Sequence, residues 1–475
     1  MQLWDTPSSA PTLIDGVTGR PVGAGELEFA TRAVASALRG MELGPGDRVL
    51  VLGRPSLRTA VITVGVLRAG LVLVPVNPDL TSRELAHVIH ETTPAACASD
   101  SREDTRSILE INPHILSLES TEGAAVRPSF HGLDEADPAD PALILFTSGT
   151  TGSPKGAVHS HASLLANTDA LAEAWHWTPY DRLVHALPMF HAHGLCVGLL
   201  ASLGIGASAV LLPRFRPDEV VEAAETYSAS MFFGVPTMYH RLVGAGLAGR
   251  LSLLRLAVSG SAPLPASLHT AVREAGGARI LERYGTTETL MNLSNPYRGE
   301  RRPGTVGLPL PRSQVRLSDP GYEPGLGSEL LVRGPSVFSG YWGRPEATSQ
   351  VLRDGWYSTG DIASIDADGY FRILGRTSDL VISGGFNVYP AEVEAVLASH
   401  PGVADVAVTG TPSDEWGEVV TAFVVPSGDD TGLRDSLAAL ATAQLVPYKR
   451  PLIVHFIESL PRNAMGKVLR RELRA

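Results

Sequence analysis

At 475 residues the chain is longer than one hydrophobic core usually serves, so a large domain with internal lobes and at least one smaller domain are expected. Hydrophobic residues make up 44% and charged residues 19%, which excludes general disorder. The net charge of -11 excludes a broad nucleic-acid or anionic-membrane surface, because such surfaces need clustered Lys and Arg, and any anionic ligand must meet positive charge gathered locally.

The start, Met1 to Thr12, lacks the basic residues and apolar run of a secretory signal. Cys97 and Cys196 stand in no metal or redox spacing, which predicts free thiols and a cytoplasmic protein. From Gly46 a strand at Arg48 to Leu52 leads into a helical run at Thr59 to Ala69 and a second strand at Val72 to Val76. The alternation recurs at Ala142 to Phe146, Ala209 to Leu212, Met231 to Phe233 and Leu256 to Val258, with a helix at Pro217 to Tyr227, and predicts parallel sheets covered by helices. Gly194 to Leu212 carries no charge and approaches the 20 or so residues of a membrane span, but Gly204, Gly206, Ser202 and Ser208 interrupt it. It reads as core, a helix followed by a short buried strand, so no membrane span is expected.

Beyond Arg302 short strands at Gln314 to Leu317, Glu329 to Val332 and Tyr370 to Leu374 predict a small β-rich subdomain. After Arg376 come helical Ala391 to His400, strands Val403 to Thr409 and Val419 to Pro426, helical Leu433 to Leu445 and a strand at Leu452 to Ile457. The fold class is therefore α/β, with a large N-terminal domain over 1–376 and a small α+β domain over 377–475.

The most informative segment is Leu145 to Gly156, LFTSGTTGSPKG, a strand running into a loop rich in glycine and hydroxyls that closes on Lys155. Such a loop suits phosphate: glycines let backbone N–H groups approach anionic oxygens, hydroxyls donate, and the lysine adds charge. It lacks the spacing of a Walker A loop. TSGTTGSPKG resembles the phosphate-loop signature of the adenylate-forming superfamily, which includes acyl-CoA synthetases, peptide-synthetase adenylation domains and luciferases. Tyr284 to Glu288 (YGTTE), Ser358 to Asp361 (STGD), Gly375 to Arg376 with Asp379, Ser383 to Pro390 (SGGFNVYP) and Pro461 to Lys467 (PRNAMGK) follow in the family's order, so the resemblance covers nearly the whole chain.

The resemblance implies an AMP-forming acid–CoA ligase that uses ATP and Mg2+ to make an acyl-adenylate and passes the acyl group to coenzyme A, or alternatively to an acyl-carrier protein. It implies that Thr147, Ser148, Gly149, Thr150, Thr151, Gly152 and Lys155 form the phosphate loop and bind ATP, and that Ser261, Gly285 and Thr286 also belong to the ATP/AMP site. Tyr284 would stack near adenine, Thr287 contact the α-phosphate, and Glu288 hold magnesium with Thr151. Asp361 would take the ribose hydroxyls, with Arg376 reaching the same sugar. Lys467 would be the catalytic lysine bridging the attacking carboxylate and the α-phosphate. The family rotates its small domain between half-reactions, which makes that domain mobile, places the hinge within Arg376 to Asp379 and gives Ser383, Gly384 and Gly385 to coenzyme A. Ser378 departs from the Asp or Lys that relatives usually carry there. Read without the family, Asp361 is a turn residue and Lys467 a solvated tail lysine.

The acid pocket is expected from His191 to Gly194, Phe233 to Tyr239, Ser259 to Pro263 and the residues leading into Tyr284. Arg283 is its sharpest member, since an unpaired buried guanidinium costs several kcal/mol. The surrounding run, ERYGTTETLMNLSNPY and PGTVG, resembles malonyl-CoA synthetases, which implies that Arg283 pairs with the second carboxylate of malonate. The plainer alternative is a local ion pair, although Glu282 should point to the opposite face of an extended strand. His191 and His193 either hydrogen-bond the acid or satisfy a polar core. His159 and His161 have metal-like spacing without a third ligand and read as framing for the phosphate loop. Thr286 stands where malonate-using relatives commonly carry Met, which would admit a branched malonate. The rival classes are a nucleotide hydrolase or phosphotransfer enzyme releasing phosphate or ADP, and a non-catalytic nucleotide-binding module, which the presence of Lys467, Glu288 and Asp361 disfavours.

Overall fold

The computed structural model describes residues 12–118, 133–147, 154–319, 327–413, 415–463 and 466–473. Among these the strands form four sheets. The first has seven strands, in the order Gly340–Tyr341, Gly156–Ser160, Pro141–Phe146, Val72–Val76, Arg48–Leu52, Ala96–Ser99 and Leu116–Ser117. Its inner strands read as nearly continuous apolar runs, RVLVL and VLVPV, because helices cover both faces. The helix Leu57–Arg68 starts at Ser56, whose side chain accepts from Thr59 N, and Ser82–Thr92 starts with a capping box between Thr81 and Glu84.

The second sheet has nine strands, in the order Leu308–Pro309, Leu290–Ser294, Ile280–Thr286, Leu256–Ser259, Met231–Gly234, Arg182–His185, Ser208–Leu211, Leu13–Asp15 and Pro21–Val22. From Leu13–Asp15 across to the first half of Ile280–Thr286 the strands are parallel. Proline opens the helices Pro217–Thr226 and Pro236–Gly244 that pack on this sheet, as suits a first-turn position whose N–H has no partner within the helix. A third, antiparallel sheet joins Gln314–Leu317, Ser328–Arg333, Trp356–Ile365, Leu352–Arg353 and Phe371–Arg376. After the 3-10 turn Thr377–Asp379 the chain builds a fourth sheet from Val381–Ser383, Phe386–Val388, Gly417–Pro426, Val403–Ser413 and Ile453–Phe456, with its own core under the helices Pro390–Leu397 and Leu433–Gln444.

The expected α/β architecture is present, with two departures. The uncharged run begins as a π-helix, His193–Leu200, and only then becomes the α-helix Ala201–Ile205. Gly194 permits this: a Cβ there would stand 2.1 Å from Pro188 O, so the wide turn needs a residue without a side chain. Asp361, a turn residue on the plain reading, lies instead within the ten-residue strand Trp356–Ile365, whose side chains alternate in burial. Cys97 and Cys196 are both buried, and no helix among the described residues is long and apolar enough to cross a membrane.

Candidate active site

The parallel strands of the second sheet end level with one another, Gly234 beside Ser259 and Ser259 beside Glu282. In open α/β sheets the crevice beyond such carboxyl ends is where ligands bind. Strand Ile280–Thr286 overruns its parallel neighbour, bulges between Tyr284 and Gly285, and continues antiparallel to Leu290–Ser294. Arg283 and Tyr284 therefore overhang the crevice. Gly285 is required by close approach, since a Cβ there would stand 1.8 Å from Leu290 O.

Arg283 is 3% exposed, and its Nε and Nη2 have no hydrogen-bond partner among the described residues. Burial alone pulls its pKa down to about 9. Its guanidinium lies against Gly260, where a Cβ would come within 2.4 Å of Cζ. Beside it Ser261 is held at a φ of 70°, a strained value for a residue with a side chain, and its hydroxyl meets His193 Nδ1 at 3.3 Å. His193 Nε2, Ser259 Oγ and both ring nitrogens of His185 are buried and unpartnered as well. Burial holds His185 and His191 near a pKa of about 4; burial and then the nearby Arg283 charge push His193 well below the ordinary value, so these imidazoles are neutral. His185 escaped the sequence reading because it looks like the last apolar-facing residue of a strand. Glu282 takes the opposite side, accepting from Leu264 N at 3.0 Å, and burial pushes it up to about 8. The local ion pair of the plainer reading is thus not formed with Glu282.

Polar groups at the other end of the crevice are paired. The Tyr284 hydroxyl donates to Asp361 Oδ2 at 2.5 Å, while Arg376 Nε meets Asp361 Oδ1 at 3.0 Å. Asp361 is reached because its strand runs beside Phe371–Arg376 with Asp361 opposite Arg376. Glu288 is buried and accepts from the Tyr341 hydroxyl at 2.8 Å. His159 meets Thr287 O at 2.7 Å and Ser163 Oγ at 3.3 Å, so it pins the YGTTE turn to the strand that follows Lys155. Thr286 Oγ1 is 2.9 Å from Thr289 Oγ1. Thr147 N donates to Lys155 O at 2.9 Å, closing the base of the phosphate-type loop. Ser148, Gly149, Thr150, Thr151 and Gly152 lie outside the described residues. Among those described, no three His, Cys, Asp or Glu side chains gather as a metal cluster. Magnesium is commonly held by one or two carboxylates plus substrate phosphates, and a buried Glu288 with one oxygen fixed by a phenol fits that mode.

The C-terminal unit reaches the same cleft. Gly466, at a φ of 72°, packs against Thr237 at the start of helix Pro236–Gly244, where an added Cβ would lie 2.8 Å from Thr237 Oγ1. Lys467 follows, with its N–H donating to Asn463 Oδ1 at 2.9 Å. Burial, then Arg376, draw its pKa down to about 8 against the opposing pull of Asp361 and Asp379. Asp379 accepts from Arg470 Nη1 at 3.4 Å and from Ser378 Oγ at 3.1 Å. Ser383 is buried, whereas Gly384 and Gly385 form an exposed hairpin turn whose nearest neighbour is Trp416 of the same unit. The structure thus brings together Arg283, His193, Ser261, Tyr284, Asp361, Arg376 and Lys467, and leaves Ser383 to Gly385 apart from them.

The chain matches the family of AMP-binding enzymes over residues 5–342 and that family's C-terminal domain over residues 392–467. The chain belongs to this family. It is an acid–thiol ligase of the adenylate-forming kind. It is 36% identical to a feruloyl-CoA synthase of Amycolatopsis, over 94% of this chain and 92% of the relative, and 35% identical to a malonate–CoA ligase of Arabidopsis thaliana, over 90% and 78%. The crystal structure of ATP-bound MatB from Rhodopseudomonas palustris superposes with a TM-score of 0.91 at 37% identity, covering 99% of this chain and 96% of that one.

Proposed function

We propose that this ligase activates malonate or a small branched malonate with ATP and transfers the acyl group to coenzyme A, releasing AMP and pyrophosphate. The observation that carries the reading is Arg283, a buried guanidinium with two unpartnered nitrogens at the carboxyl end of a parallel strand. A buried cation of this kind calls for an anion, and hydrocarbon or aromatic acids bring none beyond the reacting carboxylate. The malonate–CoA ligase among the relatives supports the same acid.

In this reading residues 1–376 bind ATP and the acid, and residues 377–475 form a lid that supplies Lys467 and later Ser383, Gly384 and Gly385 to coenzyme A. Arg283 holds the distal carboxylate, with His191 and His193 as neutral hydrogen-bonding partners at its side. The reacting carboxylate then faces the α-phosphate, where the Lys467 ammonium and the Thr287 hydroxyl stabilise charge that grows as the new bond forms. Asp361 accepts from the ribose hydroxyls while its bonds to Tyr284 and Arg376 keep it oriented. Thr147, Lys155 and the loop between them cradle the β- and γ-phosphates. Glu288, with Thr151, would hold the magnesium ion, which supplies charge neutralisation for the leaving pyrophosphate. A chain with only two cysteines, both buried, suits a reducing, cytoplasmic setting.

The test is acyl-CoA formation from malonate, methylmalonate, acetate, octanoate and ferulate, read by mass spectrometry, in wild type and Arg283→Ala. Loss of a buried charge partner should lower kcat/KM for the dicarboxylates by at least about a hundredfold and spare the rest. Preference for a monocarboxylate, or unchanged malonate turnover in the variant, would sink the assignment.

A further inference from the structure

The functional reading leaves Tyr341 without a task, yet the fold sets it between two charged groups which that reading uses. Strand Gly340–Tyr341 is the edge of the seven-stranded sheet and pairs with Gly156–Ser160, placing Tyr341 opposite Ala157, two residues beyond Lys155. Its hydroxyl donates to Glu288 Oε1 at 2.8 Å, and Lys155 Nζ stands over its ring, 5.1 Å from the centroid. Behind it lies buried Tyr357, whose hydroxyl is electrostatically coupled to that of Tyr341. Phe338 packs edge-on against both rings, with centroid distances of 4.9 and 5.4 Å. Phe338 N also donates to Glu288 O at 2.7 Å, so the same short segment fixes both the backbone and the carboxylate of Glu288.

A phenol is a suitable support for a cation-binding carboxylate. It fixes the rotamer of the acid through one oxygen and, being neutral, leaves the negative charge for a metal ion. An ammonium paired with Glu288 would neutralise it; the aromatic face of Tyr341 gives the Lys155 ammonium a different favourable seat. Outer partners of this sort typically change metal affinity ten- to a hundredfold when removed.

We propose that Tyr341 is a positioning residue that orients Glu288 for the divalent cation of the nucleotide and keeps Lys155 from pairing with that carboxylate. The inference rests on the reading of Glu288 as the cation's ligand and is independent of which acid is activated. Its test needs neither acid nor coenzyme A: calorimetric binding of a non-hydrolysable ATP analogue to the whole enzyme, across a magnesium series and in EDTA. Wild type, Tyr341→Phe, Tyr357→Phe and Glu288→Gln are compared. Tyr341→Phe keeps the ring and should move the magnesium midpoint up about tenfold while leaving affinity in EDTA unchanged. Tyr357→Phe should give a smaller shift of the same sign, and answers the question if Tyr341→Phe fails to fold. An unmoved midpoint, or equal weakening with and without magnesium, would show a purely structural tyrosine and overturn the proposal. Glu288→Gln separates the two failures: if it keeps the wild-type midpoint, the assignment of Glu288 falls first, and the role of Tyr341 falls with it.

Discussion

The two ends of the cleft are built on opposite principles. Around Asp361 the carboxylate is bonded to both the phenol and the guanidinium, and Glu288 is bonded to Tyr341, so at the end proposed for the nucleotide the polar groups are already paired. Around Arg283 the guanidinium, His185, His193 and Ser259 all keep buried polar atoms without partners among the described residues. On the proposed reading, paired groups orient a ligand common to the whole family. Unpaired ones select, because an acid that fails to satisfy them leaves their desolvation uncompensated.

The largest effect should come from removing the group proposed to act at the reacting carboxylate and the α-phosphate. Lys467→Ala should lower acid-dependent exchange of pyrophosphate into ATP by about a hundred- to a thousandfold, the usual loss for one donor at a developing charge, while thioester formation from preformed acyl-adenylate persists. If exchange survives intact, the docked position of Lys467 is not the adenylating one. Protonation of the same lysine gives the next test. Its folded pKa is depressed to about 8 from 10.5, so the ammonium is present below pH 8 and lost above it. The kcat/KM for ATP in adenylation should therefore fall on the alkaline side with an apparent pKa near 8, a limb that Lys467→Arg should move upward.

Breaking only the selective end calls for Gly260→Ala, whose methyl would occupy the seat of the Arg283 guanidinium. Between about ten- and a hundredfold should be lost in kcat/KM for malonate, chiefly through KM, with ATP affinity unchanged. An equal loss for ATP would mean that the two ends are not separable. Smallest of all is Glu282→Gln. Burial raises the folded pKa of Glu282 to about 8 from 4.5, so between those values the unfolded chain ionises and the folded one does not. Stability should then decline as pH rises through that window in wild type, and the glutamine variant should show a flatter curve by calorimetry with malonate turnover intact. A large loss of turnover would revive the pairing of Glu282 with Arg283.

Much of this was legible in the residues. Apolar alternation located Arg48–Leu52, Val72–Val76 and Gln314–Leu317 to the residue, since a strand buried on both faces or against a core announces itself. Arg283 was singled out because the run around it resembles malonyl-CoA synthetases and a guanidinium in an acid pocket needs an anion. Trp356–Ile365 was missed because its inward positions include Thr359 and Asp361, so its alternation is one of burial and not of hydropathy. The π-helix was missed because the close approach of Gly194 to Pro188 O at its start is made only in three dimensions. Tyr341 lies 53 residues from Glu288, and nothing in the spacing signals an edge strand that brings them together.

The unpartnered guanidinium of Arg283 also bears on how the enzyme survives heat. A charge held in a dry site weakens the fold that holds it. Replacing it with Met, which fills similar space without charge, should raise the melting temperature of the free enzyme even as it abolishes use of a dicarboxylate. Selectivity at this position would then be an inherited fragility, relieved each time the substrate arrives.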